Sequence, residues 1–158
     1  MTNSIEVVTF TGPDGVEACR ADIELLIQQF GTWDADFVDW VALHPEILTL
    51  VYVDSRPAAY MRIDGFDVGK DSLEFSGCVL PAYHSLGLTN KIAPTTIAKA
   101  FMATGKRKML AVIKDDNRAA QTAIVSLGFK RVGRDANKDL MYLLNRTTAL
   151  AKAHKQTA

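Results

Sequence analysis

Cys78-Val79-Leu80-Pro81-Ala82-Tyr83-His84-Ser85-Leu86-Gly87-Leu88-Thr89 is the stretch on which the fold turns. An apolar run ends at a proline, passes through a polar loop with one central glycine, and enters a segment with helical periodicity. A strand-loop-helix junction of this kind leaves backbone N–H groups free at the helix start, in line with the positive end of its dipole. Gly87 lets a phosphate approach the backbone closely. Ser85 and Thr89 add hydroxyl donors, and His84 adds a ring donor. Many such junctions bind nothing, so the stretch alone reads equally as a plain connection.

Working outward, the run before the junction, Leu73 to Leu80, is a strand, and Gly77 within it marks either a bulge or a small residue beneath a neighbouring side chain. Upstream, Ile5 to Phe10 alternates as a first strand. Val16, Cys19, Ile23, Leu26, Ile27 and Phe30 recur at threes and fours, which predicts one amphipathic helix from Val16 to Phe30. Gly31 stops it, and Thr32 or Asp34 caps a second helix that buries Phe37, Val38, Val41 and Trp40. Ile47 to Val53 reads as a buried strand. Asp54-Ser55-Arg56-Pro57 is turn chemistry, and Ala58 to Ile63 returns as the second arm of a hairpin. A loop with Asp64, Gly65, Gly69 and Lys70 precedes the Leu73 strand.

Downstream, Leu86 to Thr104 is helical, Met109 to Ile113 a short buried strand, and Asn117 to Leu127 a helix with Ala120, Ala123, Ile124 and Leu127 on one face. Phe129 to Val132 and Leu140 to Leu144 are two last strands. The predicted order is β-α-α-β-β-β-α-β-α-β-β in one α/β domain over residues 1–145. A polar tail over 146–158 is either a short exposed helix or disordered. No internal repeat, low-complexity stretch or linker interrupts it.

Composition excludes several functions. With 158 residues the chain buries enough apolar surface to need neither disulfides nor metal for a core. Eighteen basic and 18 acidic residues leave a net charge of zero, which argues against broad binding to nucleic acid or an anionic membrane. Lys106, Arg107 and Lys108 form the clearest basic cluster and read as a solvated turn. Cys19 and Cys78 form no CxxC pair, and His44, His84 and His154 show no zinc spacing, so no metal is expected. Cys78, in an apolar run, reads as a small buried residue. MTNSIEVVTF lacks the pattern of a secretory signal, and no run of 18 apolar residues exists, so a cytoplasmic protein without a membrane span is expected.

The spacing around the opening stretch is similar to that of the GNAT superfamily of acyl-CoA-dependent N-acetyltransferases. The family motif V-x-P-x-x-[RQ]-x-x-G-x-[GA] reads here as Val79 through Thr89. The next family motif, an Asn, a small residue three on, and Gly-Phe eleven and twelve on, falls on Asn117, Ala120, Gly128 and Phe129 without gaps. The resemblance implies a mixed, mostly antiparallel sheet of six to seven strands flanked by helices, with splayed parallel strands four and five. It also implies acetyl-CoA as co-substrate and an amine, small molecule or protein, as acceptor, with a homodimer or other protein partner left open. The pantetheine arm is expected along Cys78, Val79 and Leu80, and the pyrophosphate on His84, Ser85, Leu86, Gly87, Leu88 and Thr89, with Asn117 also in the cofactor site.

Glu74 occupies a position that some family members use for the general base, because an ammonium acceptor must lose a proton before it attacks a thioester. Backbone N–H groups near Cys78 and Val79 would polarise the thioester carbonyl. Asp64, Asp67 and Asp71 are candidates for a cationic-substrate pocket.

The sequence departs from the pattern in several places. His84 replaces Arg or Gln, and Thr89 replaces Gly or Ala. Ile124 stands where the family often has a tyrosine general acid. That leaves Tyr142, on a late strand, as the phenol able to substitute, since Tyr83 belongs to the loop. Pro94 falls within the helix after the loop. Either the helix is kinked there, or it starts late with Pro94 in its first turn, which would carry the N–H donors away from the loop. These departures keep a second reading open: a GNAT fold without catalysis, using regions such as Trp33 and Trp40 for partner contacts.

Overall fold

The computed structural model describes residues 2–10, 12–28, 37–44, 48–65 and 71–157. The strands are β1 (Ile5–Thr9), β2 (Leu48–Val53), β3 (Arg56–Asp64), β4 (Ser72–Val79), β5 (Lys108–Ile113), β6 (Lys130–Arg134) and β7 (Leu140–Asn145). The helices are α1 (Pro13–Ala18), α2 (Arg20–Gln28), α3 (Phe37–Leu43), α4 (Leu88–Thr104), α5 (Arg118–Ser126) and α6 (Arg146–Thr157), with a 3-10 turn at Pro81–Leu86 between β4 and α4. The seven strands run in the order β1-β2-β3-β4-β5-β7-β6, mostly antiparallel, with β4 and β5 parallel. The chain forms two compact units: 1–62 with 77–88, and 63–76 with 89–158.

In the first unit, β1, β2 and β3 form antiparallel pairs, with a bulge between Val51 and Tyr52. Asp54 and Ser55 close the β2–β3 hairpin with positive φ values of 50° and 66°, the handedness that matches strand twist in a two-residue turn. The single helix expected over Val16 to Phe30 is two. Pro13 takes the first helical position, where its missing N–H costs nothing. Cys19 ends α1 at φ −104°, and α2 begins at Arg20. Periodicity carried through the break because Val16, Ile23, Leu26 and Ile27 all still point into the core. Val38 and Val41 of α3 are buried as expected. The readings of Phe30, Gly31, Thr32, Trp33, Asp34, Ile47, Asp67, Gly69 and Lys70, and of the Phe37 and Trp40 side chains, lie outside the described residues.

In the second unit, strand parity sorts the side chains onto two faces. Leu73 pairs with Met109, Ala111 with Tyr142, and Ile113 with Leu140, and all six are buried. On that face Phe75 meets Phe129, ring centroids 6.1 Å apart, α5 packs on β5, and α6 packs on β7. The other face carries Glu74, Leu110, Val112, Met141 and Leu143, all exposed or half-buried. The C-terminal segment, for which helix and disorder were both open, is helix α6, anchored by a buried Ala149 and by Arg146 N–H donating to the Arg107 carbonyl at 2.9 Å. Lys106, expected as part of a solvated turn, is half-buried with Nζ donating to the Gly65 carbonyl.

Among the described residues no helix is long and apolar enough to cross a membrane, and no group of His, Cys, Asp and Glu is arranged to hold a metal ion.

Candidate active site

The parallel register of β4 and β5 is short. It pairs Ser72 with Lys108, Leu73 with Met109 and Glu74 with Leu110, and ends there. β5 continues alongside β7 as far as Ile113. Glu74, the candidate base, sits at this last pair with its side chain exposed.

β4 carries on through Gly77, Cys78 and Val79 in the first unit. A Cβ on Gly77 would come within 2.9 Å of the Tyr60 carbonyl oxygen, so the glycine permits a close strand approach. Leu80 N–H donates to the Ala58 carbonyl at 2.8 Å, and Tyr83 N–H to the Leu80 carbonyl at 2.9 Å, which starts the 3-10 turn. His84 turns back on the strand: its Nε2 lies 2.8 Å from the Val79 carbonyl and donates to it. That donor is engaged in closing the loop. Burial pushes the Cys78 thiol up to about 12, only partly offset by hydrogen bonding with Tyr60. The sulfur therefore stays protonated at neutral pH and is no nucleophile. Tyr60 is likewise raised to about 12, first by burial and then by its proximity to Cys78.

Gly87 ends the turn in the left-handed region at φ 64°, ψ 34°, a conformation glycine adopts without steric cost. A Cβ there would meet nothing within 4 Å, so the backbone lies open to an approaching anion. Ser85 and Gly87 are exposed, Leu86 and Thr89 half-buried, and Leu88 buried. α4 begins at Leu88, directly after the glycine, and runs through Pro94 to Thr104. The late start that would have carried the N–H donors away does not occur.

The remaining predicted residues have other settings. Asn117 is the N-cap of α5, its Oδ1 accepting from Ala120 N–H at 3.2 Å, a local structural role. Ile124 is in the core at 5% exposure. Tyr142 must be corrected as a candidate acid. It is only 4% exposed, and its pairing with Ala111 sets it on the sheet face opposite to Glu74 and Leu110. Side chains of opposite parity do not converge on one reacting atom in a flat stretch of sheet.

Two polar arrangements escaped the sequence reading because their partners are far apart in the chain. Tyr52 Oη donates to Asp22 Oδ2 at 2.7 Å, with burial foremost in raising the phenol's pKa. Asn90, on α4, is bonded by Ser126 and Gln156.

Solved structures share this architecture along nearly the whole chain. RimJ from Mycobacterium smegmatis, in complex with CoA-disulfide, superposes with a TM-score of 0.69 at 13% identity, covering 97% of this chain and 88% of that one. This is the GNAT fold. An acetyltransferase of the GNAT family from Streptococcus pneumoniae matches at 0.69 and 13% identity over 90% of this chain and 99% of its own. yncA, a putative acetyltransferase from Salmonella typhimurium with its cofactor acetyl-CoA, matches at 0.64 and 21% identity over 90% and 94%. No protein-family model and no curated protein matches the sequence. The GNAT likeness is thus one of fold: a mostly antiparallel seven-stranded sheet with a parallel β4–β5 pair, flanked by helices.

Proposed function

We propose that this chain is a cytoplasmic acyl-CoA-dependent N-acyltransferase that moves an acetyl group from acetyl-CoA to an amine. The observation that carries the reading is the junction at Gly87. The loop turns there in the left-handed region and α4 starts at once, so the free N–H groups and positive dipole end of a helix start come directly after the glycine in the chain. Two proteins of this fold are described with CoA-disulfide and with acetyl-CoA. The pyrophosphate belongs on Ser85 to Thr89. His84 shapes the loop through its bond to Val79, and the pantetheine arm follows Cys78, Val79 and Leu80.

In the reaction, exposed Glu74 takes a proton from the ammonium of the acceptor, directly or through water. The amine attacks the thioester carbonyl, whose oxygen is held by N–H groups near Cys78 and Val79. The C–N bond forms, the nitrogen gives up its second proton to solvent, the C–S bond breaks, and the CoA thiolate takes a proton from solvent, since Ile124 has none to give and Tyr142 lies on the other face.

Charge along the chain supports the pairing of substrates. Residues 1–88 hold 14 of the 18 acidic side chains and four of the 18 basic ones, and residues 89–158 hold the reverse. An ammonium acceptor suits the acidic part, which holds Glu74, and the proposed phosphate loop lies where the acidic stretch of sequence gives way to the basic one.

Titration calorimetry with acetyl-CoA, followed by thiol release with a set of amines, tests the proposal. Binding with turnover that Glu74→Gln slows is the expected result. Binding without turnover on any amine would make the chain a non-catalytic CoA binder. No heat and no thermal stabilisation at millimolar acetyl-CoA would overturn the reading, because a ligand that binds only the folded state raises its stability.

A further inference from the structure

Pro94 lies well inside α4. A helix interior needs the N–H of each residue to bond the carbonyl four residues back, and proline has none, while its ring crowds that carbonyl. The carbonyl deprived of its partner is that of Asn90, in the first turn of α4. Gln156, on α6, donates its side-chain Nε2–H to this same carbonyl. One turn earlier on α6, Lys152 Nζ donates to the carbonyl of Ser126 at 2.8 Å, at the C-terminal end of α5, where a cation is favoured. Ser126 Oγ lies 2.8 Å from Asn90 Oδ1 and 2.8 Å from the Ala123 carbonyl. With the Asn90 amide turned so that its NH2 faces Oγ, the serine hydroxyl is free to donate to Ala123 and both bonds form. Lys152 and Gln156 are spaced i,i+4 and share one face of α6. That face ties α6 to the end of α5 and the start of α4.

We propose that Gln156 is a positioning residue for the acyl-CoA site: it supplies the hydrogen bond that Pro94 removes and so fixes the first turn of α4, which follows the phosphate loop directly in the chain. The proposal rests on the acyl-CoA reading above. It gives the C-terminal helix a function that its polar, low-periodicity sequence does not advertise. It also explains how the chain keeps a proline in the helix that follows the loop.

The test is a mutant cycle on the full chain, with Gln156→Met, Pro94→Ala and the double variant. Methionine keeps the length of glutamine without its donor or any charge, and alanine restores the backbone N–H. Two readouts are taken: CoA affinity by calorimetry, and amide exchange of residues 88–93 in the free protein. Gln156→Met is expected to weaken CoA binding about three- to tenfold, the worth of one net hydrogen bond, and to speed exchange in that turn. In the Pro94→Ala background the same change is expected to do neither, because the Asn90 carbonyl then has its helical partner. This restoration separates positioning from a general loss of stability. Equal effects of Gln156→Met in both backgrounds, or no effect in the wild type, would overturn the inference while leaving the acyl-CoA reading intact. Failure of the wild type itself to bind CoA would instead sink the acyl-CoA reading.

Discussion

The first 88 residues and the last 70 are near mirror images in charge, 14 acidic to four basic against four acidic to 14 basic. Through residue 55 the acidic part has Arg20 as its single cation, and that guanidinium is held by Glu17 at 2.6 Å and Asp39 at 2.6 Å. In the basic part, Arg134 pairs with Asp115 at 3.0 Å, while Lys130 and Arg131 on the edge strand β6 are exposed. A total of zero is therefore a poor guide to electrostatics. The potential near a surface depends on charges within about 10 Å at ordinary ionic strength, not on their sum over the chain. The neutral total argues against broad binding to nucleic acid or an anionic membrane, and it says nothing of where the charges lie. The two stretches taken separately differ in sign, which the total conceals.

The largest expected effect lies in the acidic half. Glu74→Gln should lower turnover at pH 7 by about 100-fold or more, the usual worth of a general base, with CoA affinity little changed. Raising the pH should recover much of the rate as the acceptor amine loses its proton unaided. Thiol release across a pH series measures both. Unchanged activity at pH 7 would remove Glu74 from the mechanism.

Next is a backbone effect in the basic half. Gly128 has φ +103°, and a Cβ there would stand 2.9 Å from Thr148 Cγ2. Gly128→Ala should cost about 2 kcal/mol or more in stability, seen as a lower denaturant midpoint with an unchanged slope. A milder result would mean that α6 shifts easily against this turn.

Salt probes the charge contrast itself. Raising ionic strength from about 50 to about 500 mM should weaken CoA binding roughly tenfold. The KM of a cationic acceptor should rise with salt as well, while that of a neutral amine analogue should not. Salt-independent binding would mean that the segregated charges do not act on the ligands.

The smallest effect is alkaline. Tyr60 and Cys78 both have folded pKa values raised to about 12 by burial, from ordinary values of 10.0 and 9.0. Their contribution to stability is full below about pH 9 and is lost as pH climbs toward 12, since the unfolded chain releases these protons first. Tm should fall over that window, and Cys78→Ser should flatten the early part of the fall.

From β4 onward the arrangement was legible mainly in the segments that have one clean period. β5 and β7 alternate buried with less buried residues, and α5 keeps Ile124 inward. The Val16 to Phe30 reading failed at Cys19 because a helix break that keeps the same face inward leaves hydrophobic spacing almost unchanged. Within the site, the glycine-centred loop was visible as local chemistry. The bond of His84 to the Val79 carbonyl was not, since it depends on how tightly the turn closes.

The sequence by itself determined the order of the strands, the loop that ends at Gly87, and the absence of a tyrosine at Ile124, because these depend on residues close in the chain. Only the tertiary structure decided that Tyr142 and Glu74 face opposite sides, that α4 starts at Leu88 despite Pro94, and that Gln156 answers for the missing N–H. Each of those turns on strand register or on a bond such as the one that spans 66 residues, and periodicity along the chain carries no information about which distant groups meet.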